Sequence, residues 1–475
     1  MKKFRFVTLL LLMSLVLSLF ASAAPKPFTE EMLPTAPPAP MELNYPNDLA
    51  IEAEAYALVE LKSNAILYSK ELDAQRYPAS LTKIMTCMLA IQYGDLTDVL
   101  TVTPTALDGL SIYGSTAGLV VEEQLALEDL LYCIMLSSAN EGCNIIAEYI
   151  SGDIATFVEL MNRTAKALGM NSTQFANTHG LHDEAHYTTV RDLITLSRWA
   201  WENETFHRFA TATSYTVPAT NKSDARTLHT TNYLVSTDVN SRYYYANASG
   251  IKTGFTTPAG GCLISTATEG DAEYLSILMG CESAKNATDK RFSETRRLFR
   301  HALETYSFVQ ILTDSTMLAQ PEVKNAQGRG DVVVHAKENR RILLPHDYAT
   351  EDIVIKLRYN EELTAPLKKG QVIGTAIVEY KGIALAESDL VTLTAVEAQN
   401  RTPDQGSEEE PGEETPSLVS RLFSRLWRVI RIPLFLIGGL ALLYYIALCI
   451  LSYIRRKRRA KLRRQRRQRI RRHDA

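Results

Sequence analysis

The sequence has few cysteines, and their spacing suits neither a disulfide framework nor a metal site. No Cys-x-x-Cys pair occurs among the six, and Cys449 lies in a long uncharged run near the end of the chain. The other five stand singly in apolar stretches: Cys87, Cys133, Cys143, Cys262 and Cys281. This pattern favours buried free thiols over disulfide bonds.

The main part of the chain also lacks an excess of positive charge. The net charge of −3 hides an asymmetry, because residues 1–454 carry 38 Lys and Arg against 53 Asp and Glu. The positive charge is concentrated at the end, where 13 of the 18 residues 455–472 are Lys or Arg. An acidic main part argues against an extracellular nucleic-acid binder, so we expect no nucleic-acid partner.

Both ends of the chain indicate a protein exported across a membrane and held there. Residues 1–23 have basic residues, an apolar run and the small-residue pattern Ala-Ser-Ala, as in a secretory signal peptide. Residues 432–454 carry no charge and are long enough to span a bilayer as a helix. The basic tail, 455–475, then stays in the cytoplasm and contacts anionic membrane lipid. Residues 417–431 predict an amphipathic helix on the membrane surface.

Between these ends, the pattern predicts two folded parts. Residues 24–48 contain seven prolines and are typical of an extended leader. Residues 49–306 predict a first domain that mixes a sheet with many helices, an α/β (α+β) fold. Residues 307–396 show only short alternating strands and predict a small all-β domain. Residues 397–416, with seven acids and one base, predict a solvated linker.

Several local elements can be predicted inside this first domain. Two strands flank the turn at Lys62 to Asn64 in "AYALVELKSNAILYSK". Helical periodicity runs through "LEDLLYCIMLSSANEGCNIIAEYISG" and "IATFVELMNRTAKALGM". Two strands, "CLISTAT" and "EYLSILMGC", are joined by a tight turn, and a helix through "RRLFRHALETY" ends the domain.

The stretch "PASLTKIMT" places Ser80 and Lys83 three positions apart at the start of an apolar helix. Residues at i and i+3 share a helix face, so the lysine amine can reach the serine hydroxyl. A desolvated lysine loses its proton more easily and can then act as the base that a serine nucleophile needs. A second Ser-x-x-Lys, at Ser249 and Lys252, contains Gly250 in a β-rich context, which argues against a shared helix face.

Two further motifs follow in order. "SAN" begins at Ser138, 58 residues after Ser80, and "KTG" begins at Lys252, a further 114 residues on. Each occurs once in the chain. The ordered set Ser-x-x-Lys, Ser-x-Asn and Lys-Thr-Gly is the signature of penicillin-binding proteins and β-lactamases.

The flanking sequences narrow this match. "YPASLTKIMT", "MLSSANEGCNIIAEYISG", "FANTHGLHDEAHYTTVRDL", "LHTTNYL" and "GIKTGFTTPAGGCL" resemble the serine D-Ala-D-Ala carboxypeptidases of peptidase S11 type, which are low-molecular-mass penicillin-binding proteins. The resemblance covers about residues 50–396. It implies a penicillin-recognising transpeptidase/β-lactamase-like catalytic domain, a small all-β domain after it and, with residues 432–454, a C-terminal transmembrane helix.

The resemblance also implies a role for each motif residue. Ser80 would attack the carbonyl between the two terminal D-alanines of a peptidoglycan stem peptide, with Lys83 as its base and Ser138 relaying a proton to the leaving amine. Binding roles fall to five residues: Asn140 for the substrate amide, Lys252 and Thr253 for the terminal carboxylate, Gly254 for close approach, and the N–H of Phe255, with that of Ser80, for the oxyanion. β-Lactam antibiotics would be inhibitors, and no metal or cofactor would be needed.

Three alternatives remain to be weighed. A β-lactamase of the same fold needs a water-activating glutamate, and the stretch where it is expected, "NSTQFAN", has no acid. A β-lactam or muropeptide sensor would acylate without turnover, but the short tail offers no output domain. The two histidines of "HDEAH", 182–186, suit a zinc site only on a helix, and the stretch predicts a loop with Thr188 or Thr189 as the next helix cap.

Overall fold

The computed structural model describes residues 32–43, 45, 49–111, 114–236, 242–282 and 289–399. The predicted signal peptide, amphipathic helix, membrane span and basic tail lie outside them, as do most of the acidic linker and the first residues of the leader. Within the described residues, no helix has both the length and the apolarity that crossing a membrane requires.

The helices are, in chain order, α1 (Lys83–Tyr93), α2 (Pro104–Leu107), α3 (Leu127–Leu136), α4 (Asn140–Ser151), α5 (Ile154–Ala167), α6 (Val190–Trp201), α7 (Glu204–Ala210) and α8 (Lys290–Thr305). Single 3-10 turns cover Ala79–Thr82 and Thr350–Asp352. The predicted helices at 127–151 and 154–167 and the helix ending near 306 are confirmed.

The strands are, in chain order, β1 (Met41–Glu42), β2 (Ala55–Glu60), β3 (Ala65–Lys70), β4 (Val99–Thr101), β5 (Gln124–Ala126), β6 (Ser214–Val217), β7 (Arg226–His229), β8 (Ala248–Thr256), β9 (Gly260–Glu269), β10 (Ala272–Cys281), β11 (Tyr306–Leu312), β12 (Met317–Ala319), β13 (Val334–Ala336), β14 (Arg340–Pro345), β15 (Ile353–Tyr359), β16 (Val372–Tyr380) and β17 (Ile383–Thr392). The predicted pairs β2–β3 and β9–β10 are confirmed as antiparallel neighbours.

The catalytic part is built on a six-stranded sheet with the order β1-β3-β2-β10-β9-β8. β1 runs parallel to β3, and the other neighbours are antiparallel. β8 is therefore the last strand of the sheet, and no strand of the described residues pairs with its outer edge. The two-stranded sheets β4–β5 and β6–β7, which the sequence analysis did not predict, lie outside this sheet.

Both faces of the sheet are buried, which explains why the central strand β2 is apolar from Ala55 to Val59 with no polar residue in alternation. In β2, Ala55 and Ala57 join the core formed with α1, α3, α4, α5 and α6. Tyr56 and Leu58, which alternate with them, join a second core with Phe292 and other residues of α8. The sheet is thus the middle layer between a large helical layer and a single long helix.

The β module after α8 consists of the pair β11–β14 and the sheet β12-β13-β17-β16-β15. Its core is a separate cluster that includes Val334, Leu344 and Val378. The described residues thus form a mixed α/β catalytic part followed by an all-β module. This is the fold class that the sequence predicts for these two parts.

Residues 32–43 of the predicted leader lie against the catalytic part. The Pro38 carbonyl accepts hydrogen bonds from Arg198 Nη1 at 2.9 Å and Asn64 Nδ2 at 3.1 Å. β1 then pairs with β3, and the Leu43 side chain, 3% exposed, enters the second core. Prolines suit this segment because they are already extended and leave their carbonyls free to accept.

Candidate active site

The three motifs meet in one cleft of about 500 Å³. Ser80, Ser138, Asn140, Thr253, Gly254 and Phe255 all line it. Lys83 and Lys252 do not reach its surface, because their side chains are 0% and 1% exposed. The two amines therefore lie beneath the cleft, out of contact with bulk water.

Ser80 and Lys83 are brought together by a change of helix type. Ser80 lies in the 3-10 turn Ala79–Thr82, and α1 begins at Lys83, so the two residues are not on one α-helix as predicted. A 3-10 turn places residues i and i+3 directly above one another. Lys83 Nζ lies 3.0 Å from Ser80 Oγ.

The Lys83 amine has two other partners, both of which can only accept from it. Nζ donates to Asn140 Oδ1 at 2.9 Å and to the His179 carbonyl at 2.7 Å. Burial lowers the pKa of Lys83 to about 8, and electrostatic interactions with Cys143 and Glu141 oppose this shift. A neutral amine has two N–H groups and one lone pair, so two acceptors and one hydroxyl match it completely.

Ser138 and Asn140 lie where α3 ends and α4 begins. Ser138 has a φ of +59°, which is uncommon for a residue other than glycine, and its side chain is held in the cleft wall. Ser138 Oγ is buried and has no hydrogen-bond partner among the described residues. Asn140 is anchored by its own N–H, which donates to the Ser115 carbonyl at 3.0 Å.

The third motif lies on the edge strand β8. Lys252 Nζ donates to the Thr253 carbonyl at 3.1 Å, and burial together with the nearby Lys83 charge lowers the pKa of Lys252 well below its usual range. Gly254 passes so close to the nucleophile that a Cβ added there would lie 3.2 Å from Ser80 N. A side chain at this position would push the strand away from the serine. The second Ser-x-x-Lys copy lies on this same strand, as predicted.

Two residues that the sequence analysis did not single out also face the cleft beside Thr253. Thr231 Oγ1 lies 2.5 Å from Thr253 Oγ1. Arg291, at the start of α8, donates to the Gly254 carbonyl at 2.9 Å and pairs with Asp289. Thr231 lies inside the quoted stretch "LHTTNYL", whereas Arg291 gives no sequence signal because it comes 37 residues after Gly254 in an ordinary charged helix.

The histidines of "HDEAH" lie in a loop, as predicted, and Thr189 caps α6 with its side chain. His186 uses both ring nitrogens within the protein, since Nε2 lies 2.8 Å from Thr82 Oγ1 and Nδ1 accepts from Ala176 N at 3.2 Å. Burial lowers the pKa of His186 to about 4, so the ring is neutral. The five cysteines of the described residues are all buried free thiols, as predicted.

A second cavity, of about 490 Å³, lies beside β1 and β14 and contains none of the three motifs. Its arginines already have partners, because Arg341 pairs with Asp271 and Arg340 with Glu338. We therefore place the chemistry in the motif cleft on the basis of its side chains and not of its size.

Comparison with known proteins agrees with this geometry. Residues 42–283 match the family model described as D-alanyl-D-alanine carboxypeptidase, and residues 310–398 match the model described as penicillin-binding protein 5, C-terminal domain. The D-alanyl-D-alanine carboxypeptidase DacF of Bacillus subtilis (strain 168) is 28% identical over 347 residues, which cover 72% of this chain and 85% of that protein. DacC of Escherichia coli (strain K12), which carries the same description, is 29% identical over 394 residues, covering 79% of this chain and 91% of that protein.

The solved structures give the same result for the fold. The structure of penicillin binding protein 5 from Haemophilus influenzae matches with a TM-score of 0.58 and 26% identity, covering 74% of this chain and all of that chain. The match spans both the catalytic part and the β module, so this is a penicillin-binding-protein fold with an all-β domain after it. The chain belongs to the D-alanyl-D-alanine carboxypeptidase family, peptidase S11.

Proposed function

We propose that this chain is a serine D-Ala-D-Ala carboxypeptidase that removes the terminal D-alanine from peptidoglycan pentapeptides through an acyl-enzyme on Ser80. The observation that carries the proposal is the contact between Lys83 Nζ and Ser80 Oγ at 3.0 Å, with the other bonds of the amine directed to Asn140 and the His179 carbonyl. The relatives named above are all described as enzymes of this activity.

In the acylation step, the lone pair of Lys83 takes the Ser80 proton as Oγ attacks the carbonyl carbon of the penultimate D-alanine. Because the two N–H groups of the amine are held by Asn140 and His179, the lone pair is directed at the hydroxyl. The charge that develops on the carbonyl oxygen is stabilised by the N–H groups of Ser80 and Phe255. The close approach of Gly254 to Ser80 N supports this pairing of donors from two elements.

The leaving amine then needs a proton, and Ser138 is the group that relays it. Its hydroxyl is buried in the cleft wall without a partner among the described residues, so it is free to bond to a substrate. The C–N bond breaks, D-alanine leaves, and water hydrolyses the acyl-enzyme to give the tetrapeptide. Asn140, whose Oδ1 is held by Lys83, has its Nδ2 left to bind the substrate amide.

The substrate end is held along β8. A free strand edge can pair with an extended peptide, and the Thr253 hydroxyl faces the terminal carboxylate. Arg291 adds a cation on the same side of the cleft, while the buried Lys252 supports the strand from below. The same groups would hold the carboxylate of a β-lactam, which would acylate Ser80 and inhibit the enzyme.

The test is turnover by the purified full-length chain on a peptide that ends in D-Ala-D-Ala. We expect many equivalents of D-alanine per enzyme, and no release by Ser80→Ala, which also fails to bind labelled penicillin covalently. A single equivalent at most would favour the sensor. Rapid hydrolysis of penicillin would favour the β-lactamase, although none of the described residues that line the cleft is an Asp or Glu that could activate water.

The proposal includes a location, which rests on the sequence. The catalytic part works on the outer side of a bacterial cytoplasmic membrane, where peptidoglycan lies. Residues 1–23 direct export and are removed. The apolar run 432–454 crosses the bilayer once, residues 417–431 lie on its surface, and the tail 455–475 is cytoplasmic.

A further inference from the structure

A chain of three hydrogen bonds runs from Ala176 N through His186 and Thr82 to the carbonyl of Ala79, the residue before the nucleophile. His186 Nε2 lies 2.8 Å from Thr82 Oγ1, and Thr82 Oγ1 lies 2.9 Å from the Ala79 carbonyl oxygen. Ala79, Thr82 and His186 are each 2% exposed or less. The chain joins segments 104 residues apart, and neither Thr82, a variable position of the Ser-x-x-Lys motif, nor His186 was assigned a role by the motifs.

The direction of every bond in this chain is fixed. His186 Nδ1 accepts from Ala176 N, so the ring proton of a neutral histidine is on Nε2 and is donated to Thr82 Oγ1. Thr82 has one hydroxyl hydrogen, which goes to the Ala79 carbonyl. The Ala79 carbonyl also belongs to the 3-10 turn Ala79–Thr82, so removal of the hydroxyl leaves the buried His186 N–H without its acceptor and takes the side-chain donor away from the carbonyl.

Thr82 does not use its hydroxyl as threonine at a helix start normally does. It is the N-cap residue of α1, where a threonine side chain ordinarily accepts from the N–H groups of the first turn. Here the side chain makes no capping bond and points back to the carbonyl that precedes Ser80. Thr82 is itself helical (φ −47°, ψ −35°), and a bond from a threonine hydroxyl to the carbonyl three residues back is common in helices, so the distinctive feature here is the second bond of the hydroxyl, to His186.

The Ala79 carbonyl and the Ser80 N–H belong to one planar peptide group. In a trans peptide they point in opposite directions, so fixing the carbonyl fixes the N–H. Ala79 has a φ of +48°, a conformation that a residue with a side chain keeps only when its surroundings hold it. Gly180 lies against the same carbonyl, because a Cβ built there would be 1.8 Å from the Ala79 oxygen.

We infer that Thr82 and His186 are positioning residues that hold the Ala79–Ser80 peptide so that the Ser80 N–H points into the cleft as an oxyanion-hole donor. The inference rests on the proposed function, and specifically on the proposed oxyanion role of Ser80. The carbonyl is held from one side by Thr82 and Gly180, and the N–H lies on the other side, beside Gly254 of β8. An oxyanion donor acts on the transition state and not on the bound substrate, so its misplacement has a kinetic signature.

The test compares Thr82→Val, which keeps the shape and removes the hydroxyl, with Thr82→Ser, which keeps the hydroxyl. Acylation by benzylpenicillin is followed in the full-length protein, with the dissociation constant of the initial complex separated from the acylation rate constant. For Thr82→Val we expect the rate constant to fall about 10- to 100-fold, less than the 10²–10³-fold loss on removing such a donor outright. The dissociation constant should change less than about 3-fold, and Thr82→Ser should restore most of the rate.

A boronic acid analogue of the substrate gives a second readout, because one of its oxygens occupies the oxyanion position in the adduct with Ser80. Its inhibition constant should rise for Thr82→Val in parallel with the loss in acylation rate. The matched control is Thr392→Val in the β module. Thr392 is also fully buried, and its hydroxyl donates to the Lys368 carbonyl and accepts from Gln371 N, but it is remote from the cleft in sequence and module.

The inference is wrong if Thr82→Val acylates at the wild-type rate, if its loss is in the initial dissociation constant, or if Thr82→Ser loses as much as Thr82→Val. Should Thr82→Val fail to fold, the contrast moves to His186. His186→Gln keeps a side-chain N–H donor and an acceptor, whereas His186→Leu keeps neither. Equal acylation rate constants for these two variants would overturn the inference. Failure of the proposed function is distinct, since the wild-type protein itself would then not acylate at Ser80.

Discussion

The surroundings of Lys83 make a prediction about pH. Burial lowers the pKa of Lys83 to about 8, and only the neutral amine can take the serine proton. For benzylpenicillin, the ratio of the acylation rate constant to the dissociation constant of the initial complex should therefore rise with pH through about 8 and level off above it. An exposed lysine would instead place this rise near 10.4. Stopped-flow acylation between pH 6 and 10 measures the profile.

The variant for this experiment is Lys83→Arg, whose guanidinium stays protonated over the whole range. It should lose about 10²- to 10⁴-fold in acylation rate, the usual contribution of a general base, and show no rise near pH 8. Lys70→Arg is the control, because the Lys70 amine donates to the Ala53 carbonyl and does not line the cleft. An unchanged profile in Lys83→Arg would remove Lys83 as the base.

Individual site residues differ in how far the sequence reveals them. Ser80, Ser138 and Lys252 stand in short motifs whose order could be read directly; the structure places Ser80 and Ser138 in the cleft wall and Lys252 beneath it, next to Thr253. The His179 carbonyl could not be predicted, because its contact with Lys83 depends on backbone position and not on side-chain type. Arg291 was missed for a similar reason, since an arginine is informative only once the fold has placed it beside Gly254.

At the scale of elements, the leader packs against the catalytic part, which its composition does not predict. Seven prolines predict an extended segment, but extension does not reveal whether the segment is solvated or packed. Packing depends on specific partners far along the chain, such as Arg198, which donates to Pro38, and Arg191, which pairs with Glu42 at 2.8 Å. Regular strands and helices were easier to predict because their apolar periodicity is local.

The docked leader gives a stability prediction. Leu43→Ala removes an almost fully buried side chain from the second core and should lower the free energy of unfolding by about 2–4 kcal/mol. Glu42→Gln breaks a half-exposed ion pair and should cost less than about 1 kcal/mol. Urea denaturation of the full-length protein, followed by tryptophan fluorescence, measures both.

A truncation of comparable size on the surface serves as the control. Leu393 is 44% exposed, so Leu393→Ala should change the free energy of unfolding by no more than about 0.5 kcal/mol. If Leu43→Ala is no more costly than Leu393→Ala, the leader does not pack in solution as described.

At the scale of the molecule, the second core of the catalytic part extends into the β module, although most of the module packs around its own separate core. β11 begins at Tyr306, directly after α8 ends at Thr305, so no spacer separates the two parts. Tyr306 and Leu343 of the β module belong to the same apolar cluster as Leu58 of the central sheet. The Tyr68 and Tyr306 hydroxyls are 2.7 Å apart across this junction. The sequence shows where the pattern changes, near residue 306, but it cannot show that packing continues across that point.

The proposed membrane location is also tested on the whole molecule. A chain ending at residue 416 lacks the predicted surface helix, membrane span and tail. It should be recovered as a soluble protein outside the cytoplasmic membrane, in the periplasm or the medium. The full chain should stay with the membrane after high-salt and alkaline washes, because a spanning helix is held by apolar contact and not by charge. Release of the full chain by high salt alone would contradict the predicted span.

The five buried thiols of the described residues have a consequence for anyone who prepares this protein. None is joined to another in the folded chain, although the proposed location is an oxidising one. An unfolded chain exposes all of them to air or to an oxidant, and each bond formed at that stage links residues that the native fold keeps separate. Renaturation from denaturant should therefore succeed best with a reducing agent present, and cytoplasmic expression without an oxidative folding pathway should give active material.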